Sequence, residues 1–258
     1  MKVVNPKRYQ SLLHEAQEAD FAGWNFSWLA GRMIQEDPAW DYPNLVRRAM
    51  DGVQSLLDLG TGGGELLASL APLPPDTHAT EAYPPNQEIA SARLTPLRVT
   101  LHKTQENEAL PFTDERFDLV ISRHESSDPE EIWRVLKNGG TFITQQVGGL
   151  DNLEINQVLE EKITFPYTNC SLANDLTGLY EAGFEIELGE KAALATLFKD
   201  IGAVVYYLKA IPWQVPGFNL ETHAAGLICL HNIIEKQGEF KATAHRFLIV
   251  ACKKEVNR

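Results

Sequence analysis

The chain is poor in cysteine, carries no surplus of positive charge and has no long apolar run, and each lack removes a class of function. Cys170, Cys229 and Cys252 are its only three cysteines. They are far apart, odd in number and show neither metal-ligand spacing nor a Cys-x-x-Cys pair, so they read as reduced thiols of a cytoplasmic protein with no bound metal. Lys and Arg number 23 against 35 Asp and Glu, a formal net charge of -12. A protein built to hold nucleic acid needs a basic face to displace counterions from phosphates. Beyond the first few residues the adjacent basic pairs are Arg47-Arg48 and Lys253-Lys254, which form no stripe. The charge therefore disfavours nucleic acid as a partner. No stretch nears the roughly 20 apolar residues that span a bilayer. Lys2, Lys7 and Arg8 are not followed by the apolar core of a secretory signal. No repeat, low-complexity tract or Ser/Gly-rich linker divides the chain.

What the chain has is an ordinary globular composition, 44% hydrophobic and 22% charged over 258 residues, enough for a large core without disulfide staples. Residues 1–52 are expected to form an N-terminal helical lid segment and 53–258 a single domain with it. In the first part Arg8–Ala19 predicts a helix, an aromatic-rich stretch follows, and Asn44 is placed as the N-cap of a helix Leu45–Met50. From 53 to 148 strand and helix signals alternate, with buried strands at Val53–Leu59 and Phe117–Ser122. That alternation predicts a parallel sheet with helices on both faces. After 149 the signals are weaker. They include helices over Leu172–Ala182, Leu197–Lys209 and Leu227–Lys236, and strands over Phe184–Leu188 and His245–Ala251.

The chemistry concentrates where the first buried strand ends, in Asp58-Leu59-Gly60-Thr61-Gly62-Gly63-Gly64. Glycines permit a sharp turn and a close approach of backbone to ligand, and the following helix aims its N-terminal amides at that ligand. A dinucleotide fingerprint needs Gly-x-Gly-x-x-Gly. Here Glu65 stands in the place of the third glycine, which disfavours NAD. No Gly-Lys-Ser/Thr follows, which excludes a P-loop.

Four ordered segments over about residues 53 to 148 resemble the class I S-adenosylmethionine-dependent methyltransferases, especially their type 11 group. They are Leu57–Gly64, then Glu81, then Glu106-Asn107-Glu108-Ala109-Leu110-Pro111-Phe112, then Phe117–Ser122 with Arg134-Val135-Leu136-Lys137-Asn138-Gly139-Gly140. The resemblance implies an α/β, Rossmann-like three-layer sandwich whose sheet has seven mostly parallel strands, the last antiparallel. It implies S-adenosylmethionine as cofactor, with contacts from Asp58, Gly60, Thr61, Gly62, Gly64, Glu81, Ala82, Glu106, Asn107 and Ser122. The loop would wrap the amino-acid part, Glu81 the ribose hydroxyls, which a carboxylate can accept in pairs, and Glu106 the adenine amino group. The family usually has Asp at that last position, so the Asn107 backbone is an alternative contact. Tyr83 stacks near the adenine or is a loop aromatic.

Methyl transfer is an in-line displacement in which the cofactor supplies reactivity and the protein alignment. A base is needed only for a protonated nucleophile. His124 is the candidate base, just past the carboxyl end of a central strand; the alternative is a surface histidine paired with Glu125. Arg123 grips an acidic substrate or the cofactor carboxylate, or forms a surface salt bridge. Trp24, Trp28 and Tyr207 are candidates for the substrate wall or for packing, and Gln145 and Gln146 close a strand near the site. The expected acceptor is a small molecule. RNA methylation and a non-catalytic cofactor-binding protein are the competing readings. The oligomeric state is left open.

Overall fold

Every residue of Ser55–Leu59 is buried, the mark of a strand covered on both faces. The computed structural model describes residues 2–21, 26–105, 108–163 and 167–254. Its elements begin with α1 (Pro6–Glu18), β1 (Met33–Gln35), α2 (Tyr42–Ala49), β2 (Ser55–Leu59), α3 (Glu65–Ser69), β3 (Asp76–Glu81), α4 (Pro84–Leu94) and β4 (Thr100–Lys103). They continue with β5 (Phe117–Arg123), α5 (Pro129–Val135), β6 (Leu136–Val147), α6 (Leu153–Leu159), α7 (Leu172–Glu181), β7 (Glu185–Phe198), α8 (Ile201–Ala210), α9 (Ala224–Gln237) and β8 (Phe240–Cys252).

Among the described residues the strands form one sheet, in the order β1-β7-β8-β6-β5-β2-β3-β4. β2 pairs in parallel with β3 and β5, β3 with β4, and β5 with β6. β8 runs antiparallel to β6, with Lys253 N bonded to Gly140 O at one end and Gly148 N to His245 O at the other. The fold is the expected Rossmann-like α/β architecture with eight strands in place of seven. The added strand is β1, three residues at the sheet edge pairing antiparallel with β7, Met33 opposite Phe198 and Gln35 opposite Thr196. A three-residue edge strand has too little periodicity to show in a sequence.

Contacts gather the chain into two compact units. One comprises Ala39–Val147, Cys170–Lys191 and Phe247–Arg258. Its sheet is covered on one face by α2, α3 and α4, around Val46, Leu67, Ala90 and Leu94. The other face is covered by α5 and α7, around Ile132, Val135 and Leu179. Side chains alternate along β2 between the two layers, Leu56 to the first and Leu57 and Leu59 to the second, as a pleated strand requires. The other unit comprises Met1–Pro38, Gly148–Asn169 and Ala192–Arg246. Its core holds Leu12, Ala16, Phe198, Val204, Leu227 and Leu230, from α1, β7, α8 and α9.

Two local expectations are corrected. The cap before the second helix is Asp41, whose carboxylate accepts from Asn44 N at 3.0 Å, so α2 starts at Tyr42 and Pro43 sits in its first turn, where the missing N–H is not needed. The helix expected from Leu197 begins at Ile201, because Leu197 and Phe198 complete β7 and Asp200 caps α8 by accepting from Ala203 N at 2.9 Å.

Candidate active site

Strand order in the first unit reverses between β2, which leads to β3, and β5, which leads to β6. Open α/β sheets hold ligands at the carboxyl ends of the strands flanking such a reversal. Leu59 lies opposite Ser122 there, so the glycine loop that follows β2 and the turn that follows β5 are neighbours.

The loop is fastened from the next strand. Gly60 N donates to Thr80 Oγ1 at 3.2 Å and Thr61 N to Thr80 O at 2.9 Å. Gly60 has a φ of +62°, and a side chain at this position would collide with Glu125, whose Cγ lies 2.4 Å from the site of a Cβ. Gly64, at φ +78°, leads into α3, and a Cβ there would meet Leu94 Cγ at 2.9 Å. The close helix packing that a dinucleotide loop assigns to its third glycine thus falls one residue earlier, to Gly64. Glu65 is left to pair with Arg93, which also donates to Gly63 O.

Two acidic side chains are buried around this loop. Asp58, 3% exposed, has its carboxyl pushed up to about 7, chiefly by burial; the Thr61 hydroxyl opposes the shift and the charge of Glu81 adds to it. The buried Thr61 Oγ1 makes no hydrogen bond of normal geometry, although it stands near enough to Asp58 to hold that carboxyl down. Glu81 is raised by burial and eased by the backbone amides of Tyr83, Gly62 and Ala82, the first donating to Oε1 at 2.7 Å. A buried carboxylate that retains its negative charge only at a cost is a natural partner for a cationic or polyhydroxyl ligand.

On the β5 side, Tyr42 OH donates to Ser122 O at 3.0 Å, and burial followed by the Asp58 charge raises the Tyr42 phenol. Ser122 Oγ donates to Glu125 O at 3.1 Å. His124 holds a left-handed φ of +63°, with its N donating to Gln145 O at 2.9 Å. Trp40 Nε1 donates to Gln145 Oε1 at 2.8 Å. An indole can only donate, so this bond fixes the Gln145 amide with its nitrogen toward His124 Nε2, 3.3 Å away. That nitrogen also only donates, so His124 Nε2 is the acceptor in this contact.

Asp58, Gly60, Thr61, Gly62, Gly64, Glu81, Ala82, Ser122, Arg123 and His124 therefore come together in one unit. Trp28 and Tyr207 belong to the other. Trp28 stacks on Tyr206 with ring centroids 4.6 Å apart and has the Arg32 guanidinium 3.8 Å from its ring. Tyr207 OH accepts from Asn152 Nδ2 at 2.9 Å. Trp24, Glu106 and Asn107 lie outside the described residues. Sequence reading counted Trp40 and Tyr42 only within the aromatic cluster before the first strand, as a lid over the pocket or as packing against the sheet; it gave Thr80 no role and Glu125 only a surface pairing. Each meets the loop or its neighbours across a sequence gap of at least 20 residues or through the turn at His124, and no local spacing reports such contacts.

Residues 57–144 match the family described as "Methyltransferase domain". None of the curated proteins matches the chain by sequence. Among solved structures, a candidate methyltransferase from Bacillus halodurans C-125 is 21% identical with a TM-score of 0.61, covering 83% of this chain and 99% of its own. A protein of unknown function from Deinococcus radiodurans R1 is 13% identical with a TM-score of 0.59, covering 95% and 99%. A candidate sarcosine dimethylglycine methyltransferase from Galdieria sulphuraria is 16% identical with a TM-score of 0.50, covering 96% and 98%.

Proposed function

We propose, for a chain that carries a class I S-adenosylmethionine-dependent methyltransferase domain, that the loop after β2 binds S-adenosylmethionine and that the methyl group goes to a small molecule. The observation that carries this reading is the buried Asp58 beside an under-bonded Thr61 hydroxyl, at the one end of the sheet where its order reverses. These groups fit the cofactor: Asp58 would take its cationic amino group, the left-handed glycines leave room for backbone contact, and Glu81 would take its ribose hydroxyls. Gly60, Thr61, Gly62, Gly64, Ala82 and Ser122 complete the cradle, with Glu106 and Asn107 assigned to the adenine by family resemblance.

When bound, the cofactor supplies an electrophilic methyl group on a sulfonium sulfur. The chain's own part is alignment and exclusion of water. Trp40 and Tyr42, from the segment before β2, brace Gln145 and the Ser122 carbonyl and so hold the β5 turn in place. His124 Nε2, which accepts from Gln145, is assigned to take a proton from an acceptor molecule once the Gln145 amide gives way to it. Arg123 is assigned to the substrate side. A small-molecule acceptor agrees with the net charge of -12, which opposes RNA, and three free thiols suit a reducing cytoplasm. No helix among the described residues is long and apolar enough to cross a membrane.

Calorimetry with S-adenosylmethionine tests the cofactor assignment. Saturable binding is expected, at least tenfold weaker in Glu81→Ala; no binding by the wild type overturns it. Methyl transfer to a metabolite panel and to total RNA then separates the acceptor classes, and transfer to RNA alone would reverse the small-molecule reading.

A further inference from the structure

Away from the glycine loop, the same unit holds a cavity of about 240 Å³. It lies among Ser127 and Pro129 of the β5–α5 connection, Phe142 and Thr144 of β6, and Asn174 and Asp175 of the first turn of α7. This is below the roughly 300–1,000 Å³ of pockets that swallow a drug-sized ligand, so it suits a very small molecule or one end of a larger one. Its lining is mixed. Phe142 and Pro129 give apolar wall, Ser127, Thr144 and Asn174 give neutral hydrogen-bonding groups, and Asp175 gives the only charge.

Among the described residues Asp175 has no counter-charge. Burial alone moves its carboxyl, up to about 6, and no cation among the described residues offsets it; its one visible electrostatic effect is to help raise the Cys170 thiol. Outside the glycine loop, other carboxylates of this unit are treated differently: Asp118 is held down by Lys137 and Ser55, and Glu131 by Arg134. A half-buried carboxylate without a partner, facing an open volume, is an electrostatic vacancy for a cation. Metal is the wrong cation, because no group of three His, Cys, Asp or Glu side chains gathers among the described residues and a lone carboxylate among neutral groups lacks the ligand charge that metal sites use. An alkylammonium fits: its charged head meets Asp175, its remaining N–H groups meet neutral oxygens, and its carbon stem meets Phe142 and Pro129.

We propose that this cavity binds the ammonium end of a small organic molecule, with Asp175 as its counter-charge. A chain of hydrogen bonds and one close contact links the cavity wall to the glycine loop. Thr144 Oγ1 accepts from Gln146 Nε2 at 2.7 Å, the same amide donates to Glu125 O at 2.7 Å, and the Glu125 side chain lies against Gly60. This continuity makes the bound ammonium the anchor of the methyl acceptor, distinct from the atom that is methylated. That second step rests on the methyl-transfer reading; the binding site itself does not.

Calorimetric titration of the whole protein with butylammonium chloride tests the site, with 1-butanol and sodium butyrate as probes of equal length. The wild type is expected to bind butylammonium saturably and the other two at least tenfold more weakly. Asp175→Asn should lower butylammonium affinity at least tenfold, and Asp175→Glu should keep the preference for the cation. Equal affinity for butylammonium and butanol, or no loss in Asp175→Asn, overturns the proposal, and the charge comparison in the wild type stands even if that variant does not fold. S-adenosylmethionine titrated in parallel separates the two readings: cofactor binding without amine binding removes this site alone, and amine binding without cofactor binding removes the methyl-transfer role alone.

Discussion

Asp58 concentrates the tension between folding and ligand binding in one carboxyl group. An unfolded aspartate gives up its proton near pH 4, whereas folded Asp58 keeps it until about 7. Between those values the folded state holds the extra proton, so this residue makes stability fall as pH rises through the window, with the whole loss present above about 7. Three pH units set an upper bound of about 4 kcal/mol. Asp58→Asn is therefore expected to raise the melting temperature of the ligand-free protein at pH 8, with a smaller gain at pH 5. It should also weaken S-adenosylmethionine binding at least tenfold. Wild-type affinity for the cofactor should rise about tenfold from pH 6 to 8 as the ionised fraction grows from about a tenth to nine tenths, and the variant should lose that slope. A variant that is neither more stable nor weaker in binding contradicts the assignment. Asp58 and Glu81 could be picked out in the sequence because one stands two positions before the first glycine and the other ends the next strand. The Trp40–Gln145–His124 relay could not, because it is assembled from residues 105 and 21 positions apart.

At the level of elements, the glycine loop works only because α3 and α4 close on it. Gly64 combines a left-handed backbone, which costs a residue with a side chain roughly 1–2 kcal/mol, with a Cβ position 2.9 Å from Leu94 Cγ. Gly64→Ala should lower stability by about 2–3 kcal/mol, read as a fall in the urea midpoint. Leu94→Ala should cost a similar amount by leaving a cavity. Together they should cost less than their sum, because the space vacated at 94 relieves the steric part but not the backbone part; strict additivity would show that the two residues do not press on each other. The elements β2, α4, β5 and α7 were legible to within a few residues. β7 was not. It runs 14 residues, yet its first half is largely exposed and carries Gly189 and Lys191, so apolar alternation marks only its beginning. β8 likewise starts at Phe240, ahead of the apolar run by which it was recognised.

Across the molecule, the two units have separate apolar cores, Leu12 to Ala242 in one and the two layers around β2 and β5 in the other. Separate cores allow separate openings. The unit built on α1, α8 and α9 has a distinctive weak point in Asp151 and Arg246, an ion pair with side chains 10% and 12% exposed. Asp151 also accepts from His245 N at 2.8 Å, Asn152 Nδ2 donates to the other Asp151 oxygen at 3.2 Å, and Tyr207 OH donates to the same oxygen. Removing one member of a buried pair strands the other charge at a cost of about 3–5 kcal/mol. Arg246→Ala should therefore speed amide exchange in α8 and α9 while β2 and β5 keep their protection, because none of the groups released lies in their layers. Adding Asp151→Asn should recover much of the loss by removing the stranded carboxylate. Exchange that quickens equally in β2 and β5 would show that the chain opens as one cooperative body, and its two cores would then be a division of contacts without a division of stability.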